Sequence, residues 1–155
     1  MQTMIFDNVK DLSEEEFAER FATEEQCLEF LAYQKWKGQY KCKKCGNTNY
    51  CTGKKPFSRR CTRCKHDESA KVGTIFEGCR FSLPKAFFIA FCVCSAKKES
   101  SHELARKLEL RQMTCWKFKK KLSICIAERT DLDQNEKTAI DEILFPDYTY
   151  PGNRE

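Results

Sequence analysis

Cys42-x2-Cys45 and Cys61-x2-Cys64 form two CxxC pairs with fifteen residues between them. Within each pair the thiolates converge on one ion, and an intervening hairpin brings the pairs together as a tetrahedral all-sulfur shell for zinc. Gly46, directly after the second cysteine, supplies the positive φ that such a turn tends to need. Lys41, Lys43, Lys44, Arg60, Arg63 and Lys65 flank the ligands and favour their ionised form. Four sulfur ligands leave no open position for a catalytic water. One Zn2+ here is therefore a structural cofactor, worth on the order of 10–16 kcal/mol in small zinc modules. The competing uses of such thiols are a redox pair or an iron–sulfur cluster.

Little other chemistry stands out. The 155 residues hold 11 cysteines, an odd count with no export signal in view, which argues against a disulfide framework. Cys27, Cys51, Cys79, Cys92, Cys94, Cys115 and Cys125 sit mostly among apolar residues and are expected to pack as small hydrophobes. His66 and His102 are expected at the surface, and no Cys–His–Asp constellation for nucleophilic catalysis can be read. Neither an 18-residue apolar run nor a charged-then-apolar leader occurs. The expected location is the cytoplasm, with nucleoid association in a bacterium.

Charge is strongly segregated. Residues 1–34 carry a net −7, residues 35–71 a net +10, residues 97–121 a net +6 and residues 122–155 a net −5. Any single charged cluster is ordinarily a solvated face. Two basic segments on candidate DNA-binding elements attract polyanions and let Lys and Arg displace phosphate counterions.

The elements that carry these residues can be read from caps and apolar spacing. Ser13 with Glu16, and Thr23 with Gln26, are capping-box pairs opening helices at about 14–21 and 24–35. Phe17, Phe21, Cys27, Leu28, Phe30 and Leu31 give them a buried face, expected to pack against the ribbon. Tyr50-Cys51, Pro56–Arg60 and Ser69–Val72 are expected strands, separated by turns at Gly53–Lys55 and Lys65–Glu68. Ser82-Leu83-Pro84 opens an apolar helix, with proline in the first turn. Ser100 to Glu103 caps another helix, and a break at Glu109–Arg111 precedes one from Gln112 to about Cys125. Two short helices around a tight turn, the second basic, match a helix-turn-helix. Its second helix would offer Arg111, Gln112, Thr114 and Lys117 to base edges, and Lys119, Lys120 and Lys121 to phosphates. On the ribbon, Lys54, Lys55, Arg59, Arg60 and Arg63 complete the candidate DNA contacts. Helical spacing makes Trp116 a core anchor rather than a stacking platform.

The order Phe21-x-Thr23-Glu24-Glu25-x-Cys27-Leu28-x-Phe30-Leu31, then Trp36 and the four cysteines, resembles the transposase zinc-ribbon family. So do Gly73-Thr74-Ile75-Phe76, Leu83-Pro84, Leu104-Ala105-Arg106-x-Leu108 and Thr114-Cys115-Trp116. These are the N-terminal DNA-binding parts of DDE-type insertion-sequence transposases related to eukaryotic Merlin elements, and the resemblance covers about residues 15–125. It implies that ribbon and helix-turn-helix bind the terminal inverted repeats of a transposon. It also implies a following RNase H-like domain whose acids hold two Mg2+ ions for strand cleavage and transfer. Only about thirty residues follow the last helix, too few for that fold. Asp141-Glu142 stands near where the first catalytic acids would fall. Asp133, Glu136, Ile140, Ile143 and Leu144 instead suit a plain capped helix ending before Pro146. Glu109 also stands where the family usually has a glycine, and Arg111 where it has a small hydroxyl cap.

The expected fold is α+β and mostly helical. Residues 1–38 form an N-terminal helical segment, 39–78 a four-cysteine zinc ribbon, 79–128 a helix-turn-helix DNA-binding region, and 129–155 an acidic C-terminal helix and tail. The expected function is a zinc-binding, sequence-specific binder of double-stranded DNA, not itself an enzyme. Its targets would be transposon ends or an operator, and its partners a full-length transposase or a second copy of itself. The alternatives are a ribbon that meets protein or RNA as a regulatory factor, and a truncated transposase that takes catalytic residues from another chain.

Overall fold

A computed structural model describes residues 12–95, 99–128 and 140–145. Its elements run α1 (Glu14–Arg20), α2 (Glu24–Trp36), β1 (Tyr50–Thr52), β2 (Arg59–Cys61), β3 (Asp67–Glu68), α3 (Leu83–Cys94), α4 (Ser101–Leu108), α5 (Gln112–Ala127) and α6 (Ile140–Ile143). The fold is α+β and mostly helical, as the sequence implies. No helix among the described residues is long and apolar enough to cross a membrane.

Both capping boxes form. Glu16 N–H donates to Ser13 Oγ at 3.2 Å and Ser13 N–H to Glu16 Oε1 at 2.9 Å. Thr23 and Gln26 repeat the exchange at 3.1 and 3.0 Å, which satisfies donors that the first turn of a helix leaves orphaned. At α3 the N-cap Ser82 makes no side-chain capping bond, and the Glu24 carboxylate from α2 takes the Leu83 N–H instead.

Helix α3 is the centre of the core, with Leu83, Ala86, Phe87, Ile89, Ala90, Phe91, Cys92 and Cys94 buried. The apolar faces of α1 and α2 pack onto it rather than onto the ribbon. Phe17 stacks on Phe91 at 4.5 Å, and Phe21 and Phe30 lie 5.1 and 5.8 Å from Phe87. Phe76 stacks on Phe87 at 4.6 Å. Offset and edge-on aromatic pairs of this kind add to the burial of their large area. Helix α2 meets the three-stranded sheet through its last turn, where Lys35 and Trp36 lie. Ile140, Ile143 and Leu144 are buried, and Ile75 N–H donates to the Leu144 carbonyl at 3.0 Å. Of the expected C-terminal helix, Ile140–Ile143 are helical as α6, and Asp133 and Glu136 lie outside the described residues.

The ribbon is an antiparallel sheet of order β1-β2-β3, with Cys51 opposite Arg60 and Arg60 opposite Asp67. The third strand is not Ser69–Val72 but Asp67–Glu68, where a turn is expected. The turn comes earlier, at Thr62–Cys64, and Lys65 at φ 67° reverses the chain at once onto β2. Residues 70–73 are themselves turn, and the Ser69 and Val72 carbonyls accept from Lys35 Nζ. Likewise β2 starts at Arg59, because Pro56 and Phe57 form the hairpin tip.

Of the seven other cysteines, Cys27, Cys92, Cys94, Cys115 and Cys125 are buried, Cys79 is half-buried and Cys51 is exposed.

Candidate metal centre and basic helix face

The Sγ atoms of Cys42, Cys45, Cys61 and Cys64 all lie within 4.8 Å of one another. Cys42 and Cys64 are 3.5 Å apart at sulfur, as are Cys45 and Cys61. Zinc–sulfur bonds of about 2.3 Å in a tetrahedron put the sulfurs about 3.8 Å apart, so the set fits one Zn2+.

The two knuckles are built alike. Gly46 N–H donates to the Cys42 carbonyl at 2.9 Å and Lys65 N–H to the Cys61 carbonyl at 3.1 Å. Cys42 N–H and Cys61 N–H then donate to the Asn47 and His66 carbonyls at 2.8 and 2.9 Å. Gly46, at φ 77°, has the role the sequence suggests, and Lys65 is its counterpart in the second knuckle. Asn47, which the motif does not reveal, donates from its amide to Cys61 Sγ at 3.4 Å and to Thr62 Oγ1 at 3.1 Å.

The Cys45 N–H chiefly holds the Cys42 thiol below its ordinary value. Burial opposes ionisation of Cys61, but the Cys64 N–H, the Asn47 amide and the Arg63 N–H outweigh it and bring that thiol to about 5. Against the N–H of His66, burial and the three neighbouring sulfurs push Cys64 up to about 11. Four thiols so placed need a divalent cation to ionise together. The four cysteines make a site for one structural zinc ion.

Around the ribbon the candidate basic residues divide. Arg59 is held between rings, its guanidinium carbon 4.7 Å from the Trp36 centroid and 4.1 Å from that of Tyr50. Arg60 pairs with Asp67 at 3.2 Å. Asp67 also accepts the Lys54 N–H at 3.0 Å, and this bond above all holds its carboxyl below the usual range. Lys54, Lys55 and Arg63 are exposed.

Helices α4 and α5 pack together with Leu104 and Cys115 buried. Glu109 takes the left-handed turn position at φ 57°, and Leu110 N–H donates to the Ala105 carbonyl at 3.0 Å, closing α4 without a glycine. Arg111 is the N-cap of α5 and makes no side-chain capping bond.

The α5 residues also divide. Arg111, Gln112, Lys117 and Lys120 are exposed, and Thr114 is half-buried. Lys119 donates to the Glu99 carbonyl at 2.6 Å. Lys121 is buried at 6% exposure, which removes it from the surface that a phosphate would meet. Burial lowers its pKa. Trp116 is not the core anchor its spacing suggests but is 46% exposed. Phe118 fills that role, 5.9 Å from Phe76 and 5.5 Å from Phe81. The signal was available: Cys115, Phe118, Leu122 and Cys125 are spaced by three or four residues, and Trp116 is out of phase with them.

Comparison with the curated proteins and with the solved structures gives no match. A family model does match: residues 22–67, which span α2, both knuckles and the sheet as far as the start of β3, fit the transposase zinc-ribbon domain. The four convergent thiols on their paired knuckles lie within the stretch that is similar to the transposase zinc-ribbon domain.

Proposed function

We propose that the protein is a sequence-specific binder of double-stranded DNA, a transposase-type module in which a zinc ribbon accompanies a helix-turn-helix. Its targets are the inverted-repeat ends of a mobile element or an operator. Its part is to hold DNA, and cutting falls to another domain or chain, such as a full-length transposase. The observation that carries this reading is α5: a sixteen-residue helix without an acidic residue, led by Arg111 and presenting Lys117 and Lys120 to solvent. Such a helix on a helix-turn-helix suits the major groove, and its lysines suit phosphates. The exposed Lys54, Lys55 and Arg63 add a second basic region on the ribbon.

Selection of the zinc-loaded protein on random duplexes tests this directly. The expected result is enrichment of a defined site, bound with an affinity that falls steeply as salt rises. Binding without sequence enrichment, indifferent to salt, overturns it. Preference for RNA in competition with duplex would favour a regulatory ribbon. Mg2+-dependent nicking lost in Asp141→Ala would make the chain an enzyme in its own right.

A further inference from the structure

The exposed face of α5 is not uniformly charged. Met113 and Trp116, at 59% and 46% exposure, are large apolar side chains left in solvent on an otherwise basic helix. With Lys117 and Lys120 they occupy positions i, i+3, i+4 and i+7, one stripe along the helix. That stripe lies opposite Cys115, Phe118, Leu122 and Cys125, which face the core. Lys120 Nζ sits 4.9 Å from the Trp116 ring centroid, so the ring is held by a cation at its face.

An apolar pair bordered by lysines, on a helix with no acid, is matched to a polyanion that offers an apolar feature between its charges. Duplex DNA has one such feature in the major groove, the 5-methyl group of thymine. Resting on the DNA-binding reading above, we infer that Met113 and Trp116 read thymine through its methyl group. Lys117 and Lys120, which follow the pair along the same stripe, take phosphates beside that contact. Gln112 and Arg111, at the N-terminal end of the same helix, remain available for purine edges.

The test uses the full zinc-loaded chain and its selected duplex, with each thymine replaced in turn by deoxyuridine, which lacks only the methyl. At one or two positions the replacement is expected to weaken wild-type binding about fourfold, the factor that corresponds to one buried methyl group. Trp116→Ala or Met113→Ala, with zinc content and salt dependence intact, is expected to bind the thymine and deoxyuridine duplexes alike at its position. Equal wild-type binding of both duplexes at every position overturns the inference and leaves the DNA-binding reading standing. Tighter binding of the single strand than of the duplex also overturns it. Failure to bind any duplex overturns both.

Discussion

Lys65 and Glu109 hold backbone at φ 67° and 57°, a region that costs a residue with a Cβ about 1–2 kcal/mol relative to glycine. Two tight connections depend on them: Lys65 closes the second zinc knuckle, and Glu109 turns α4 into α5. Lys65→Gly and Glu109→Gly are each expected to stabilise the zinc-loaded protein by about 0.5–1 kcal/mol, the relief of strain exceeding the added freedom of the unfolded chain. Thermal unfolding reads this as a rise of about 2–3 °C. Gly46→Ala is the converse. A Cβ there meets nothing closer than Lys41 Cε at 3.8 Å, so the expected loss of about 1–2 kcal/mol is one of backbone alone. Cys61→Ser tests the ligand set: bound zinc, measured by metal analysis, should fall from one per chain to none, with loss of the ribbon's fold. Chelation of the wild type should do the same.

At the scale of elements, one buried ion pair ties α2 to the ribbon. Lys35, 7% exposed, pairs with Glu68 of β3, 2% exposed, and Lys43 approaches the same carboxylate at 3.5 Å. Burial draws the Lys35 pKa down while Glu68 holds it up. Lys35→Met leaves a buried carboxylate without its main partner and is expected to cost about 3–5 kcal/mol in chemical denaturation. Lys35→Met with Glu68→Leu should recover much of that loss. Asp67 acts across the hairpin through Lys54 N–H and Arg60, and its carboxyl is held below the ordinary 3.8. Its contribution is fully present above that value and is lost as pH falls through the lowered one. In Asp67→Asn, stability should therefore depend less on pH below about 4. These ties explain what the sequence made legible. Caps and apolar spacing are local, so α1 to α5 and the four residues of α6 could be read within a few residues. Lys35–Glu68 spans 33 positions, and β3 is placed by where a knuckle ends, so neither had a local signal.

Across the whole molecule, the zinc ligands were fully legible because four thiols at that spacing have few other uses, whereas the basic face was legible only as composition. Three consecutive lysines look equivalent in a sequence; the fold separates them by steps of about 100° around α5. Lys119 is tied to the Glu99 carbonyl, Lys120 lies on Trp116 in solvent, and Lys121 is buried. If α5 faces a duplex, their neutralised variants must part company. Lys120→Gln is expected to reduce the slope of log affinity against log salt by about 0.9, the value for one lost phosphate contact, with stability unchanged. Lys117→Gln should do likewise. Lys121→Gln should leave the slope where it was and change the unfolding midpoint instead. Measuring both quantities for all three variants separates a DNA-binding face from a merely basic helix. Equal slopes for Lys120→Gln and Lys121→Gln would mean that α5 meets DNA by some other face.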